Sequence, residues 1–305
     1  MQVSFIVPLF NCLAYTRECL RTLSATLPAG LSHEVILVDD GSTDGTREWL
    51  ATLPPAGVVI LNPTNLGFAG TCNRGAAAAN GELLFFLNND LILLPGWFEP
   101  MATVLQRKPR AGLVGNIQLD AATGAIDHAG ISFTRQGKPA HDTRRPLVAR
   151  IRGLRHVPAL TGACIGLQRK LWQELGGFDD GFVNGGEDID LCLRASAAGR
   201  RNYVALHSLV RHHVSAAPGR KRHDEANSRR LALRWRETIA AFVARDLCRA
   251  YLETQWIEPK SENAADVCAA LGCWLGLRSA PPDQVRRAVD AALETEFNRW
   301  RQLLG

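Results

Sequence analysis

The segment FFLNND, residues 85–90, ends a strongly apolar run with two amides and one carboxylate, Asn88, Asn89 and Asp90. A carboxylate at the mouth of an apolar core is costly unless it meets a cation or several hydrogen-bond donors. Asp90 stands at the end of a predicted strand, and its hard oxygen atoms suit Mg²⁺ or Mn²⁺. The alternative is that Asp90 only caps the next turn. The segment therefore predicts a charged ligand at this position, with a structural cap as the competing interpretation.

A second acidic pair occurs in VDDGSTDG, residues 38–45. A capped turn between a strand and a helix explains Ser42, Thr43 and Asp44, but it leaves the adjacent Asp39 and Asp40 unexplained. The sequence contains no GxxxxGK[ST] motif, and no GxGxxG motif follows its first strand. Any bound phosphates must therefore be neutralised by a divalent metal and by basic side chains.

Short apolar runs alternate with helix-like stretches between residues 3 and 90. This alternation is typical of βαβ units with parallel strands and right-handed crossovers. The predicted fold class is α/β, with a mostly parallel central sheet flanked by helices. The predicted strands are residues 3–7, 34–38, 58–61 and 82–87, and the predicted helices lie around residues 12–26, 46–53 and 68–79.

The loops that follow these strands carry polar and acidic residues. In an open parallel sheet the carboxyl ends of the strands share one edge, where α/β proteins bind ligands. We therefore expect the loops to converge on one site. They are residues 8–11, 39–42, 62–65 and 88–90.

The pattern becomes less regular after Pro95. A glycine-rich stretch, residues 176–186, leads into a helix that Gly199 ends, and the chain is predicted to be helical from about Arg229. Residues 156–167 are predicted to form one strand broken by Gly162. The other predicted elements are a helix at 97–107, strands at 112–119 and 203–214, and an arginine-rich loop region at 135–155. The predicted domains are 1–228, with halves 1–95 and 96–228, and a C-terminal helical region, 229–305.

The composition indicates a folded protein of enzyme size. The chain has 305 residues, of which 21% are charged and 46% hydrophobic, so it can bury a substantial core. The first residues lack the features of a signal peptide, and the longest apolar run, 83–94, is interrupted by residues 88–90, so no membrane span is predicted. We expect a cytoplasmic protein. The eight cysteines form no CxxC pair, which predicts reduced, packed thiols.

Five motifs together resemble glycosyltransferase family 2, whose members have the GT-A nucleotide-sugar fold. LNND in place of a full DxD motif is similar to the rhamnosyltransferase-like members that assemble bacterial polysaccharides. The resemblance covers roughly residues 3–215, and it implies that 1–95 binds the nucleotide sugar and 96–228 faces the acceptor. The motifs are VPLFN, VDDGSTDGT, NLGFAGTCNRG, FLNND and GGFDDGFVNGGEDIDLCLR, in that order.

The resemblance implies a donor pocket and a metal site. Asp90 would hold Mg²⁺ or Mn²⁺ on the diphosphate, and Asn88 stands where many relatives have the first Asp of DxD. Cys72 stands where relatives often have the arginine of an ARN motif, so diphosphate binding is expected to use other basic residues. The implied donor-binding residues are Pro8, Asn11, Asp39, Asp40, Asn65, Asn73, Arg74, Asn88 and Asn89.

The motif GEDIDLCLR, residues 186–194, carries the second half of the chemistry. Glycosyl transfer with inversion needs a carboxylate that accepts the proton of the acceptor hydroxyl. By resemblance Asp188 is this base, and Glu187 is its neighbour. The alternative is that acidic residues in a first helical turn only interact with the helix dipole. For Asp190 we favour that structural interpretation, because Arg194 follows at i+4.

The segment RHHVS, residues 211–215, contains a second candidate metal ligand. Adjacent strand residues point to opposite faces, so only one of His212 and His213 can readily reach a metal at one site. Resemblance to the family's HxxS pattern favours His212, and a structural histidine is an equally weighted alternative. Residues 200–236 hold ten Lys or Arg and only two acids, which indicates a solvated basic face, a mobile loop over the diphosphate, or a surface for anionic lipid.

These features predict a metal-dependent inverting glycosyltransferase that adds a single sugar from a UDP- or dTDP-linked donor to a glycan or lipid-linked glycan, with peripheral membrane contact at the inner face. Two alternatives stay open: a catalytically idle glycan-binding or scaffold subunit, and a sugar-nucleotide nucleotidyltransferase. The latter usually has a glycine-rich loop near its first strand, which VPLFNCLAY lacks. The net charge of +5 comes without a stacking-aromatic module or a recognition helix, so no nucleic-acid partner is expected.

Overall fold

The computed structural model describes residues 2–54, 57–144, 147–213, 223–257 and 263–304. These residues form two compact units. The first unit comprises the described residues of Met1–Ile131 and His141–His223, and the second comprises those of Ser132–Ala140 and Asp224–Gly305.

The first unit is built on a ten-stranded sheet with the order β10-β12-β6-β11-β4-β1-β2-β3, in which β5 pairs with β12 and β7 with β6. Its strands are β1 (Val3–Leu9), β2 (His33–Asp39), β3 (Val58–Leu61), β4 (Leu83–Leu87), β5 (Leu91–Leu93), β6 (Ala111–Asp120), β7 (Ile126–His128), β10 (Leu154–Val157), β11 (Cys164–Gln168) and β12 (Arg201–His212). Its helices are α1 (Leu13–Thr26), α2 (Thr46–Leu50), α3 (Gly67–Ala78), α4 (Phe98–Arg107), α5 (Leu147–Arg152), α6 (Arg169–Leu175) and α7 (Glu187–Ala197).

The first four strands pair in parallel in the order β3-β2-β1-β4, and β6 is parallel to β12. Strand β11 runs antiparallel to both β4 and β6 and joins the two parallel groups. The predicted α/β architecture with a mostly parallel sheet is therefore confirmed. Loops after β1, β2, β3 and β4 lie at the same edge of the sheet, because parallel strands end on one side.

Aromatic packing fills the core on one face of the sheet. Phe85 packs against Phe5 and Phe98 with ring centroids 5.6 and 5.2 Å apart, and Trp97 lies in the same cluster. On the other face, helix α3 approaches β1 closely because Gly75 lacks a side chain. A Cβ at Gly75 would lie 2.5 Å from the Ile6 Cγ2 atom, so a larger residue would push α3 away from the strand.

The second unit combines a hairpin strand with the C-terminal helices. Within it, the Phe133 and Phe242 rings stack with centroids 5.7 Å apart, and Lys138 Nζ lies 3.0 Å from Glu225 Oε1. Its strands are β8 (Ile131–Phe133) and β9 (Pro139–His141), which pair with each other. The end residues of this pair, Ile131 and His141, are assigned to the first unit. Its helices are α8 (Asp224–Arg234), α9 (Arg236–Ile257), α10 (Ala264–Leu275) and α11 (Asp283–Leu304).

One local expectation was wrong. Residues 156–167 do not form one broken strand, because β10 and β11 lie at different positions in the sheet and are separated by β12 and β6. The segment 135–155, predicted to be a loop region, also contains the short elements β9 and α5. Across the described part of the chain, the structure has no helix that is both long enough and apolar enough to cross a bilayer.

Candidate functional site

The turn after β1 joins two of the converging loops. Asn11 and Cys12 both adopt positive φ, 55° and 60°, which asparagine tolerates better than most residues. The Asn11 backbone amide donates to Ser42 Oγ at 2.8 Å, and the Thr43 backbone amide donates to the Asn11 side-chain Oδ1 at 2.7 Å. Pro8 lies within β1. The Asn11 side chain therefore fixes the β1 turn to the VDDGSTDG loop.

Asp39 is fully buried at the end of β2. Arg47 Nε donates to its Oδ2 at 2.6 Å, and the Gly41 and Ser42 amides donate to the same carboxylate at 3.1 and 3.3 Å. A charge that is paired and hydrogen-bonded in this way tolerates burial. The Asp39 carboxylate thus holds the loop in its conformation. Its partner Arg47 was not identified from the sequence.

Asp40 caps a helix that begins 27 residues later. Its Oδ1 accepts from the Leu66 amide at 2.7 Å and from Asn62 Nδ2 at 2.8 Å, and its Oδ2 accepts from the Gly67 amide at 3.0 Å. The Leu66 and Gly67 backbone amides lie at the start of α3, where the first N–H groups of a helix have no partner within the helix. Asn65 Nδ2 donates to the Asp40 carbonyl at 3.1 Å. Asp40 and Asn65 therefore hold α3 against the end of β2.

The two α3 residues of the predicted donor pocket have different partners. Arg74 Nη1 donates to Asn62 Oδ1 at 2.5 Å, so this guanidinium extends the network around Asp40. Asn73 instead faces the glycine-rich loop: its Nδ2 donates to the Phe178 carbonyl at 2.9 Å and its Oδ1 accepts from the Phe178 amide at 3.0 Å. Both polar atoms of the Asn73 side chain are therefore engaged with backbone.

Asn88 and Asn89 fix the loop that follows β4. The Asn88 backbone amide donates to the Ala163 carbonyl at 2.8 Å, which continues the pairing of β4 with β11. Asn89 Nδ2 donates to Thr16 Oγ1 at 2.9 Å and to the Asn11 carbonyl at 3.2 Å. The Asn89 amide therefore ties the β4 loop to the turn that precedes α1.

Asp90 and His212 come together although they are far apart in sequence. The distance from His212 Nε2 to Asp90 Oδ1 is 3.1 Å, and both side chains are buried. This contact meets the distance of an ion pair but not the geometry of a hydrogen bond: Asp90 Oδ1 and both His212 ring nitrogens have no hydrogen-bond partner among the described residues. Unsatisfied buried polar atoms are costly, so they indicate a site that another group completes.

The pair fits a hard divalent cation. Two ligands at about 2.1 Å from an octahedral ion and at right angles to one another lie about 3 Å apart, close to the observed 3.1 Å. A carboxylate oxygen suits Mg²⁺ and Mn²⁺, and an imidazole nitrogen is a common ligand of divalent transition metals, the class to which Mn²⁺ belongs. Within the described part of the chain no group of three or more His, Cys, Asp or Glu could hold a metal. A bound ion would therefore take its remaining ligands from a substrate and from water.

Asp188 lies at the start of α7 and contacts the segment just before β11. The Gly162 amide donates to Asp188 Oδ2 at 2.6 Å, and the Ile189 amide donates to its Oδ1 at 2.8 Å. Gly162 leaves little room at this point, since a Cβ there would lie 3.3 Å from the Asp188 Cβ. The two amides fix the orientation of the carboxylate.

The other acidic residues of this helix have structural contacts. Glu187 Oε2 accepts from the Gly185 amide at 2.7 Å, and the Asp190 carboxylate is paired with Arg194 Nε at 2.7 Å. The i+4 pair expected for Asp190 is therefore confirmed. Arg194 also donates to the Leu175 and Gly177 carbonyls at 2.5 and 2.7 Å, which anchors the loop before α7.

Contacts connect Asp188 to the loop that carries Asp90. The Asp188 carboxylate accepts a hydrogen bond from the Gly162 backbone amide. The carbonyl of the next residue, Ala163, accepts one from the Asn88 backbone amide, and Asp90 follows Asn88 by two residues. Both carboxylates thus belong to the same edge of the sheet, at the end of β4 and the beginning of β11. The basic residues 220–222, which the sequence interpretation linked to the diphosphate or to lipid, lie outside the described residues.

A buried polar layer near His212 was not identified from the sequence. It consists of Asn116 and Gln118 on β6 and His128 on β7, all with at most 1% exposure. Asn116 Oδ1, both amide atoms of Gln118 and both ring nitrogens of His128 have no hydrogen-bond partner within the described residues. Burial, with His141 and His212 nearby, holds the pKa of His128 well below its usual value. The only sequence signal was a polar residue at alternate positions in the β6 run.

The sequence is similar to several glycosyltransferases. The O-antigen biosynthesis protein RfbC of Myxococcus xanthus is 32% identical over 231 residues, which cover 71% of this chain and 18% of RfbC. N-acetylglucosaminyl-diphospho-decaprenol L-rhamnosyltransferase of Mycobacterium tuberculosis is 28% identical over 210 residues, covering 61% of this chain and 68% of that enzyme. The chain thus spans less than a fifth of the length of RfbC.

The fold is also similar to that of solved GT-A glycosyltransferases. GalNAc-T7, solved with UDP, GalNAc and Mn²⁺, superposes with a TM-score of 0.63 at 17% identity, covering 81% of this chain and 51% of that one. At this identity the likeness concerns the fold alone. The sequence profile of glycosyl transferase family 2 matches residues 4–176, more than half of the chain. The chain therefore belongs to glycosyl transferase family 2.

Proposed function

We propose that this chain is a metal-dependent, inverting glycosyltransferase that adds a single sugar from a nucleoside diphosphate to a hydroxyl of a glycan or lipid-linked glycan. The observation that carries the proposal is the buried pair of Asp90 and His212, whose facing polar atoms lack hydrogen-bond partners within the described residues. An idle scaffold would have no need of this arrangement, because unsatisfied buried polar atoms destabilise a fold.

The donor is proposed to be a UDP- or dTDP-linked sugar, held by the loops after β1, β2 and β4. Support comes from the family membership and from the UDP and Mn²⁺ in the GalNAc-T7 structure. Asp90 and His212 would hold Mn²⁺ or Mg²⁺, which when bound would neutralise the diphosphate as it leaves. Asp39, Asp40, Asn65 and Asn73 would act mainly by holding the loops and α3 in place, since their side chains are engaged with protein groups.

Asp188 is proposed to be the general base. The acceptor hydroxyl loses its proton to the Asp188 carboxylate while its oxygen forms a bond to the anomeric carbon, and the bond from that carbon to the diphosphate oxygen breaks. The nucleoside diphosphate leaves with the bonding electron pair, and the configuration at the anomeric carbon inverts. The amides of Gly162 and Ile189 keep the carboxylate in one orientation, which is what a positioned base needs. Glu187 would support the loop before α7.

The acceptor is proposed to be a surface glycan or a lipid-linked glycan. The names of two relatives support this class. One is an O-antigen biosynthesis protein, and the other is an N-acetylglucosaminyl-diphospho-decaprenol L-rhamnosyltransferase. A cytoplasmic location with peripheral contact at the inner face of the membrane belongs to the same proposal.

The test is a thermal-shift screen of UDP-, dTDP- and GDP-sugars with Mn²⁺, with Mg²⁺ and with EDTA. A donor at about 100 times its dissociation constant stabilises the fold by about 2.7 kcal/mol, which is readily detected. We expect one donor class to stabilise the wild-type protein only when metal is present, and Asp90→Asn to lose that metal-dependent part. Asp246→Asn, which removes an exposed carboxylate on α9, is the matched control and should behave like the wild type. Equal stabilisation in EDTA would contradict the metal role of Asp90.

A further inference from the structure

The strands place Gln118 and His128 near His212, the residue that contacts Asp90. In the β6–β12 ladder Gln118 is opposite Val210 and Asp120 is opposite His212, while in the β6–β7 ladder Gln118 is opposite His128. Paired residues and residues two apart along a strand share one face of a sheet. Gln118, His128 and His212 therefore lie on the same face, in neighbouring positions of three adjacent strands.

Unpartnered polar atoms are concentrated at this position. Asp90, Asn116, Gln118, His128 and His212 account for all but one of the buried side-chain nitrogen and oxygen atoms for which the described residues offer no hydrogen bond. The remaining atom belongs to Asp127, the residue before His128. Each buried polar atom without a partner calls for an explanation, and a contiguous set at the candidate metal site indicates a shared role.

The chemistry of this layer suits the support of a metal ligand. A histidine that binds a metal through one ring nitrogen usually donates from the other to a carbonyl, a carboxylate or water, and this second contact fixes the ring. His212 has no such contact among the described residues. Gln118 offers both an amide donor and a carbonyl acceptor, and the His128 ring offers two nitrogens that can take part in hydrogen bonds.

We propose that Gln118 and His128 are positioning residues, which hold the His212 ring and the Asp90 carboxylate through bridging water in the orientation that a divalent cation requires. This inference rests on the proposed metal site. It assigns a metal-directed role to β6 and β7, strands that carry none of the residues predicted for the site from the sequence.

The inference predicts an unusual combination of effects for Gln118→Leu and His128→Leu. Replacing a buried polar group that has no partner by an apolar group of similar size removes a desolvation cost. In EDTA, the melting temperature of both variants should therefore equal or exceed that of the wild type. Titration calorimetry with Mn²⁺ in the presence of UDP should show a dissociation constant for Mn²⁺ raised by about 10- to 100-fold, as is typical when an outer-shell partner is lost.

Asn202→Leu is the matched control, because Asn202 is a fully buried polar residue on β12 whose atoms do have partners. Its Oδ1 accepts from the Leu113 amide at 3.0 Å and its Nδ2 donates to the Cys192 carbonyl at 2.9 Å. This variant should lower the melting temperature in EDTA and leave Mn²⁺ affinity per folded molecule unchanged.

Lower melting temperatures with unchanged Mn²⁺ affinity in Gln118→Leu and His128→Leu would overturn the inference, since the two side chains would then be structural. Unchanged values of both quantities would overturn it as well. If wild-type protein binds UDP but no Mn²⁺, the metal site itself is wrong. That outcome is distinguishable from the first two, because it is read from the wild type alone.

Discussion

At the scale of single residues, the carboxylates of this site differ in how their hydrogen-bonding capacity is used. Asp39 and Asp40 are surrounded by donors from their own loop, from Arg47 and from the start of α3. Asp90 has a buried oxygen without a hydrogen-bond partner within the described chain. Asp39 and Asp40 therefore stabilise the loops at this edge of the sheet, whereas Asp90 has an oxygen that a ligand can bind.

Asp188 gives the most direct residue-scale prediction. Asp188→Asn keeps an oxygen that can accept from the Gly162 or Ile189 amide, but it removes the basicity that proton abstraction needs. Transfer should fall by about 10²- to 10⁴-fold, while the dissociation constant of the donor with Mn²⁺ stays close to that of the wild type. Initial rates and calorimetric titration measure the two quantities. Turnover equal to that of the wild type would show that Asp188 is not the base.

Asp40 gives a prediction about stability. Asp40→Ala removes a buried carboxylate and leaves the amides of Leu66 and Gly67 and the buried Asn62 side chain without their acceptor. The free energy of unfolding should fall by about 1–3 kcal/mol, measured by denaturation without any ligand. Asp120→Ala is a suitable comparison, because Asp120 accepts similar contacts from Ala122 and Thr123 in an exposed turn and should cost less. Equal losses would show that Asp40 does not act as a buried cap.

At the scale of elements, the glycine-rich loop before α7 is held by residues of the distant helix α3. Asn73 on α3 binds both backbone polar groups of Phe178, and the Phe68 amide donates to Asn184 Oδ1 at 3.2 Å. Phe68 and Phe178 also pack with ring centroids 5.6 Å apart. Because this loop leads into Asp188, the fixing of α3 against it contributes to the position of the proposed base.

Asn73→Ala should therefore loosen the loop without changing α3 itself. Removing both hydrogen bonds leaves the Phe178 amide and carbonyl without these partners, and we expect faster amide exchange in residues 176–186. Hydrogen exchange read by mass spectrometry measures this effect peptide by peptide. Asn80→Ala serves as control, because Asn80 is exposed and its side chain makes only long contacts of 3.4 Å. Exchange that is unchanged in 176–186 would contradict the anchoring role.

The elements that were predictable from sequence are those whose pattern is local. Strands β1 to β4 and helices α1 to α3 follow the alternation of apolar runs with helical stretches, which short-range periodicity reveals. The partners of Asn73 and Asp40 could not be predicted, because they lie 105 and 27 residues away. For the same reason β10 and β11 were predicted to be one strand. Their separation in the sheet depends on pairing with β12, which follows later in the chain.

The candidate site shows the same division. The residue types at the strand ends indicated a polar edge, and the resemblance to known motifs singled out Asp90, Asp188 and His212. Sequence could not show that Asn73 contacts the glycine-rich loop instead of an open pocket, nor that Arg47 pairs with Asp39. It also could not show the Gln118 and His128 layer, since a polar residue in a strand is ordinarily read as facing solvent.

At the scale of the whole molecule, the second unit has its own charged centre. Glu225 on α8 accepts from Lys138 on the hairpin at 3.0 Å and from the Trp300 indole on α11 at 2.7 Å, and it also contacts Arg299. Burial by itself raises the pKa of Glu225, but the hydrogen bonds from Lys138, Trp300 and Arg299 outweigh it and bring this pKa to about 2. One carboxylate thus connects α8, α11 and the hairpin within the second unit.

The lowered pKa of Glu225 leads to a pH-dependent prediction. An unfolded glutamate has a pKa of about 4.3, so the folded state holds this proton less tightly than the unfolded state. The stabilisation by Glu225 is therefore fully present above about pH 5 and is lost as the pH falls from there toward 2. Glu225→Gln should melt at a lower temperature than the wild type at pH 7, and the difference should shrink progressively between pH 5 and pH 3.

Glu294→Gln is the control for a general charge effect, since Glu294 forms an exposed pair with Arg236 at 2.7 Å, and exposed pairs contribute little to stability. Its melting temperature should follow that of the wild type at every pH. Amide exchange at pH 7 would locate the effect: Glu225→Gln should raise exchange in α8 and α11, whereas β1 and β4 of the first unit should exchange as before. A pH-independent difference between Glu225→Gln and the wild type would mean that the ionised carboxylate is not what holds these helices, because only a group whose protonation changes on unfolding makes stability depend on pH in this range.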